Sequence, residues 1–118
     1  IVRGQLDGGA VQGIGQALQE HMVYDTDTGQ PVTGSLMDYC APRADVMACE
    51  FVTEMDESTP CKNNPLGVKG VGELGTIGAA PSVVNAVADA LARAGQASVA
   101  PTIQMPLTAA KVWGWLAR

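Results

Sequence analysis

Aromatic, basic and metal-binding side chains are all scarce in this sequence, and each scarcity removes a class of function. Two Trp, two Tyr and one Phe are the only aromatics in 118 residues. Bulk in any core therefore comes from Val, Leu, Ile, Met and Ala. Seven Lys and Arg stand against twelve Asp and Glu, for a formal net charge of −5, and the bases never cluster. A nucleic-acid groove or an anionic membrane surface needs a basic patch, so neither partner is expected. The cysteines, Cys40, Cys49 and Cys61, are odd in number and lack C-x-x-C spacing. Reduced thiols in a cytoplasmic protein fit better than a disulfide framework. Together with the single His21 they match no common zinc spacing, so no metal site is expected from them. No apolar run approaches the length of a membrane span, and the opening residues lack the charged-then-apolar pattern of a secretion signal. The start at Ile1-Val2-Arg3-Gly4, without an initiator methionine, leads us to expect the tail of something longer.

What is present organises into a few elements. From Gly9 to Val23 the apolar residues Val11, Ile14, Leu18 and Met22 recur at three- and four-residue steps, predicting a helix with Asp7 as N-cap. Gly13 and Gly15 inside it each cost roughly 1 kcal/mol relative to Ala, so a backbone or a ligand should pack closely there. Gln12 and Gln16 share one face, readable either as solvated amides or as ligand contacts. Tyr24 to Pro31 is dense in turn formers and predicts a hairpin-like loop. Short strands are expected at Val32 to Met37 and at Cys49 to Met55, where Phe51, Thr53 and Met55 alternate with Glu50, Val52 and Glu54. Asp56 to Gly78 shows no period and reads as a long loop, of a kind that is often functional. A second helix is predicted from Ala80 to Ala94, with Pro81 in its first turn, Asp89 and Arg93 paired and Gly95 as its C′ residue. A terminal helix from Leu107 to Leu116 should dock through Val112, Trp113 and Leu116. Two or three helices with a few strands make the expected class α+β, in one unit over 1–118.

The densest signal is Asn64-Pro65-Leu66-Gly67-Val68-Lys69-Gly70-Val71-Gly72-Glu73-Leu74-Gly75. Glycine lets a backbone take positive φ or lie close to a ligand. A carboxylate set among glycines has little bulk beside it, so something large and flat can approach. Glu73 is thus a candidate acid or base. The bland alternative is a tight turn with Glu73 solvated beside Lys69. Gly70 to Gly75 spells G-x-G-x-x-G, but no apolar strand leads into it and no acid closes a second strand about twenty residues on. The P-loop spelling is absent. The helix that follows offers amide donors suited to an anionic ligand.

Three motifs in order, Gly4-Gln5-x-x-Gly8-Gly9-x-x-Gln12-Gly13-Ile14-Gly15-x-Ala17-Leu18, Gly34-Ser35-Leu36-Met37-Asp38-Tyr39 and Asn64 to Glu73, resemble the molybdenum hydroxylases. This is the xanthine dehydrogenase and aldehyde oxidoreductase family, in its bacterial large-subunit form near the carbon-monoxide-dehydrogenase-like and aldehyde-oxidising branches. The resemblance implies the C-terminal segment of the second molybdopterin-binding domain. It implies that Glu73 is the general base, a carboxylate whose burial in the enzyme makes it more basic. It also implies molybdopterin cytosine dinucleotide with molybdenum as cofactor, with Gln12, Gly9, Gly13 and Gly72 as contacts and no protein ligand to the metal. Lys69 would support the loop. The substrate would be an aldehyde or an N-heterocycle. Iron–sulfur and flavin centres would sit on other domains or subunits, and the remainder of the large subunit would be a partner. In isolation the chain should be inactive, should not keep the cofactor and should self-associate. The rival reading is a non-catalytic cofactor-binding or assembly module derived from the same domain.

Overall fold

A computed structural model describes residues 1–47 and 49–117. Its frame is two long helices, α1 (Val2–Leu18) and α2 (Leu74–Leu91), with a short α3 (Ala109–Leu116) near the end. Successive contacts of α1 and α2 advance in the same direction. A Cβ placed on Gly9 would lie 2.9 Å from the Thr76 nitrogen and 3.0 Å from the Gly75 Cα. One on Gly13 would lie 2.6 Å from the Ala79 Cβ and 2.9 Å from the Ala80 nitrogen. The two helices therefore run in parallel with backbone against backbone. From the other side, a Cβ on Gly75 would meet the Leu6 carbonyl oxygen at 2.5 Å. The close packing expected at Gly13 is thus supplied by another helix of the same chain. At Gly15 the neighbours are Pro42 and the Glu20 side chain instead.

α1 begins well before the predicted start at Gly9, with Ile1 as its N-cap. Asp7 is no cap. It lies inside the helix, pairs with Arg3 one turn back (3.5 Å) and accepts a hydrogen bond from the Thr53 hydroxyl (3.1 Å). α2 likewise starts earlier than expected, at Leu74, so Pro81 falls inside it rather than in its first turn. A proline there has no N–H to donate to the carbonyl four residues back. The helix survives because its small residues are held against α1. Asp89 and Arg93 pair at 2.8 Å, and Gly95 takes φ +87° where the helix ends, both as expected.

No β-strand forms among the described residues, which corrects the expected α+β class. The segment 51–54 does keep the expected alternation, with Phe51 and Thr53 half-buried and Val52 and Glu54 exposed. It lies along the start of α1, where the Phe51 carbonyl accepts from the Arg3 guanidinium (3.4 Å). What it lacks is a neighbouring strand to complete a ladder. The Tyr24–Pro31 loop is a small hairpin closed by one antiparallel bridge between its ends. In it Asp25 accepts from the Thr28 hydroxyl (2.7 Å) and the Thr28 N–H (2.8 Å).

The core is small. Among the described residues, Ala17, Leu91 and Leu107 are the buried apolar side chains. Leu107 precedes α3, and its N–H donates to the Ala17 carbonyl (2.6 Å). It anchors the end of the chain in place of Trp113, which is 73% exposed. α3 is capped by Thr108, whose hydroxyl accepts from the Lys111 N–H. Accessible surface totals 8671 Å², against about 6,100 Å² for a folded monomer of this mass. The radius of gyration is 17.9 Å, against about 13.5 Å for a compact domain of this length. Leu36, Met37, Val52, Leu66, Val68, Leu74 and Ile77 all lie exposed. The stretch Leu74–Gln96, 23 residues long, is also long and apolar enough by length and composition to cross a membrane, contrary to the reading of the sequence. Leu74, Ile77, Val83, Val84, Val87 and Leu91, with the intervening alanines, give it that character, and one face of it packs on α1.

The helix contact yields a test of opposite signs. Gly13→Ala forces a methyl into the α1–α2 contact and should destabilise the fold by about 1–3 kcal/mol. Gly8→Ala, earlier on α1 with nothing within 4 Å of the new Cβ, should stabilise it by about 0.5–1 kcal/mol. Urea unfolding followed by circular dichroism separates the two. Equal shifts for both variants would contradict the packing described.

Candidate functional site

The Asn64 to Gly75 run divides into two halves built differently. In the first, the Asn64 side chain brackets Val68: its amide donates to the Val68 carbonyl (3.0 Å) and its oxygen accepts the Val68 N–H (3.2 Å). Gly67 sits at φ +67°, where a side chain would be strained, and its carbonyl accepts from the Cys61 N–H (2.9 Å). Asn64 and Gly67 therefore have reasons internal to the chain. In the second half Gly75 is required by its contact with α1, but the two other glycines are not. Gly70 and Gly72 have no positive φ, and a Cβ on either would meet nothing within 4 Å.

Glu73 follows directly as the N-cap residue of α2, with φ −99° and ψ −5°. Its carbonyl accepts from the Ile77 N–H (3.1 Å), while its carboxylate makes no capping bond. The side chain is exposed and forms the rim of an open depression of about 310 Å³ with Gly70, Gly72, Leu74 and Ile77. In this chain alone the carboxylate is therefore not the buried group that the resemblance implies. The wall that would bury it is not built from these residues. Lys69 does not pair with it: the ion pairs among the described residues are Arg3–Asp7, Arg43–Asp45 and Arg93–Asp89.

Gln12 is exposed on α1, and the contact with α2 brings it to the same region as Glu73. The Thr76 hydroxyl, three residues beyond Glu73, reaches both the Gly9 carbonyl (3.1 Å) and the Gln12 side-chain oxygen (3.3 Å). Gly72 is exposed beside Glu73, whereas Gly9 and Gly13 are buried against α2. The latter two permit the approach of the helices and present no open face. Thr76 escaped the reading of the sequence. The signal that could have found it is the four-residue spacing Gly9, Gly13 on one helix and Gly75, Ala79 on the other, which marks two helices able to touch and makes Thr76 a contact residue.

The Gly34 to Tyr39 motif forms a second open depression of about 350 Å³ with Met22 and Thr33. The Tyr39 hydroxyl donates to the Glu20 carboxylate at 2.5 Å. That bond, then partial burial and the Glu20 charge, hold the Tyr39 hydroxyl above its usual pKa of 10.0. Among the described residues no three His, Cys, Asp or Glu side chains gather to hold a metal ion.

The family model for a molybdopterin cofactor-binding domain matches residues 1–48. The gamma subunit of the 6-hydroxypseudooxynicotine dehydrogenase complex of Paenarthrobacter nicotinovorans is 50% identical over 76% of this chain and 11% of its own length. The nicotine 6-hydroxylase large subunit of the same organism is 41% identical over 95% of this chain and 13% of its own. A crystal structure of Cu,Mo-CO dehydrogenase superposes with a TM-score of 0.81 at 32% identity, covering 97% of this chain and 14% of that one. The chain thus spans only a small part of the proteins it matches.

The Tyr39–Glu20 bond can be tested by titration. A raised tyrosine pKa means that the bond stabilises the fold below pH 10.0 and that this contribution is lost as pH rises through the folded value. Glu20→Gln removes the charged acceptor and should bring the Tyr39 midpoint down toward 10.0. Ultraviolet absorbance of tyrosinate against pH, with Tyr39→Phe identifying the signal, measures the shift. An unmoved midpoint would contradict the bond.

Proposed function

We propose that this chain, which belongs to the molybdenum-binding large subunits of the xanthine dehydrogenase and aldehyde oxidoreductase family, supplies the general base of a molybdenum hydroxylase. The observation that carries this reading is the pair Gly70 and Gly72. Neither packing nor φ within the chain asks for glycine at these positions, yet they lead directly to a free carboxylate. Their bare backbone suits a flat group laid against the loop, and Gly72, with Gln12 tied to the start of α2 through Thr76, suits the polar edges of a pterin. Gly9 and Gly13 would serve the same cofactor indirectly, by setting α1 close to α2.

When bound, the cofactor supplies the attacking oxygen and accepts the two electrons. The substrate would be an aldehyde or an N-heterocycle whose carbon gives up its hydrogen and two electrons to the bound cofactor as it gains oxygen, and Glu73 would be the proton acceptor at that site. Its place at the start of α2 fixes the backbone beneath it, so the carboxylate swings only about its own side-chain bonds. Lys69 lends positive charge nearby without taking part. The two relatives named for nicotine and 6-hydroxypseudooxynicotine favour the N-heterocycle. The exposed apolar residues Leu66, Val68, Leu74 and Ile77 would be covered by the remainder of the large subunit. Iron–sulfur and flavin centres on other domains or subunits would carry electrons away in a cytoplasmic complex. Left uncovered, the same residues would drive self-association.

Glu73→Gln keeps the size and hydrogen-bonding shape of the side chain and removes the proton acceptor. In the assembled enzyme the chemical step should slow by at least ~10²-fold, the scale of general-base loss, with molybdenum content unchanged. Lys69→Met should cost much less. Single-turnover reduction of the molybdenum centre by substrate, at matched occupancy, measures both. Parental rates for Glu73→Gln would return the loop to the role of a structural turn.

A further inference from the structure

We propose that Thr76 is a positioning residue that presets the Gln12 amide for the cofactor and ties it to the helix carrying Glu73. The inference rests on the reading of Gln12 as a cofactor contact. Thr76 has one hydroxyl proton and two acceptors in reach, the Gly9 carbonyl at 3.1 Å and the Gln12 oxygen at 3.3 Å. The Gly9 carbonyl lies inside α1 and already accepts from the helical ladder. Gln12 is exposed, and the Thr76 hydroxyl is the protein partner its oxygen finds among the described residues, so a proton shared with the shorter Gly9 contact sets which way the amide points. With the oxygen engaged, the amide NH₂ is left facing outward as a double donor. The group it receives is therefore an acceptor atom, such as a ring nitrogen or carbonyl of a pterin.

This contact also fixes a distance along the chain. Thr76 stands in the first turn of α2, three residues after Glu73, and Gly75 beside it has no room for a side chain against α1. The face offered to the cofactor and the base that acts beside it are thus held by one hydroxyl and one helix contact. Restricting Gln12 before the cofactor arrives lowers the ordering cost of binding.

The test uses the holoenzyme whose large subunit carries this sequence. Its readout is the rate at which molybdenum and the cofactor's nucleotide are released under mild denaturant. Thr76→Val keeps shape and removes the hydroxyl, and release should be ~3–10-fold faster, the range of one neutral hydrogen bond. Thr76→Ser should restore slow release. Gln12→Ala should also release faster, and adding Thr76→Val to it should change nothing further, because the two act as one unit. Additive effects would overturn the inference, as would Thr76→Val at the parental rate while Gln12→Ala is fast. Failure of Thr76→Val to assemble where Thr76→Ser assembles would make the hydroxyl a packing element and overturn it as well. A parental rate for Gln12→Ala identifies a different failure, that of the cofactor contact itself, and the inference falls with it.

Discussion

The approach of α1 to α2 is the constraint on which the rest of this structure depends. Parallel helices cannot be joined by a tight turn, so the chain between them must travel back along the pair, and it carries the hairpin, the extended segment 51–54 and the glycine loop as it goes. Ordinary side chains would hold the helices about 8–10 Å apart. Here Gly9, Gly13 and Gly75 remove the side chains at the contact, and atoms of one backbone fill the places that Cβ atoms of the other would take. That closeness lets a short threonine on α2 reach both the backbone and a side chain of α1. With larger residues at the contact, the same hydroxyl would reach neither.

Such a contact gives geometric definition without much burial. Among the described residues only Ala17, Leu91 and Leu107 form the apolar core, and the accessible surface is well above that of a self-sufficient domain of this size. Hydrophobic burial contributes roughly 25 cal/mol per Å², so a chain that leaves Leu66, Leu74 and Ile77 in water forgoes much of its available stabilisation. Leu66, Val68, Leu74 and Ile77 are among the large apolar residues left exposed, and they flank the loop that carries the exposed Glu73 carboxylate. A partner surface laid over them would exclude water from Glu73 as well.

What the sequence made legible follows from which interactions are local. The Asp89–Arg93 pair, the Gly95 helix end and the turn from Tyr24 to Pro31 depend on residues a few positions apart, and all were readable. Helix starts were not. Asp7 looked like a cap because glycines follow it, yet its partners are Arg3 and the distant Thr53. Pro81 looked like a first-turn residue because proline is favoured there, yet contact with α1 holds a helix that begins at Leu74. The strand expected at Cys49 to Met55 has the right alternation, and burial follows it from Phe51 to Glu54. A strand is a property of two segments, however, and the second is missing from the described residues. In the candidate site, Glu73 and Gln12 were visible as residue types in a pattern. Thr76 was not, because its importance arises only when two helices meet.

Sorting the glycines by cause is what separates architecture from chemistry here. Gly29, Gly67 and Gly95 are required by positive φ. Gly9, Gly13, Gly15 and Gly75 are required by neighbours too close for a side chain. In both groups the reason lies inside the chain, and a substitution there would be felt as lost stability. Gly70 and Gly72 belong to neither group; Gly4, Gly8, Gly78 and Gly114 share that freedom, but only Gly70 and Gly72 border the depression at Glu73. A glycine costs conformational entropy wherever it stands, and two placed so close together impose that cost with no structural return visible in the chain. An offset outside the chain, against the face that Glu73 borders, would account for it. A bound group that needs close backbone approach supplies such an offset, whereas a solvated turn would tolerate alanine at both positions.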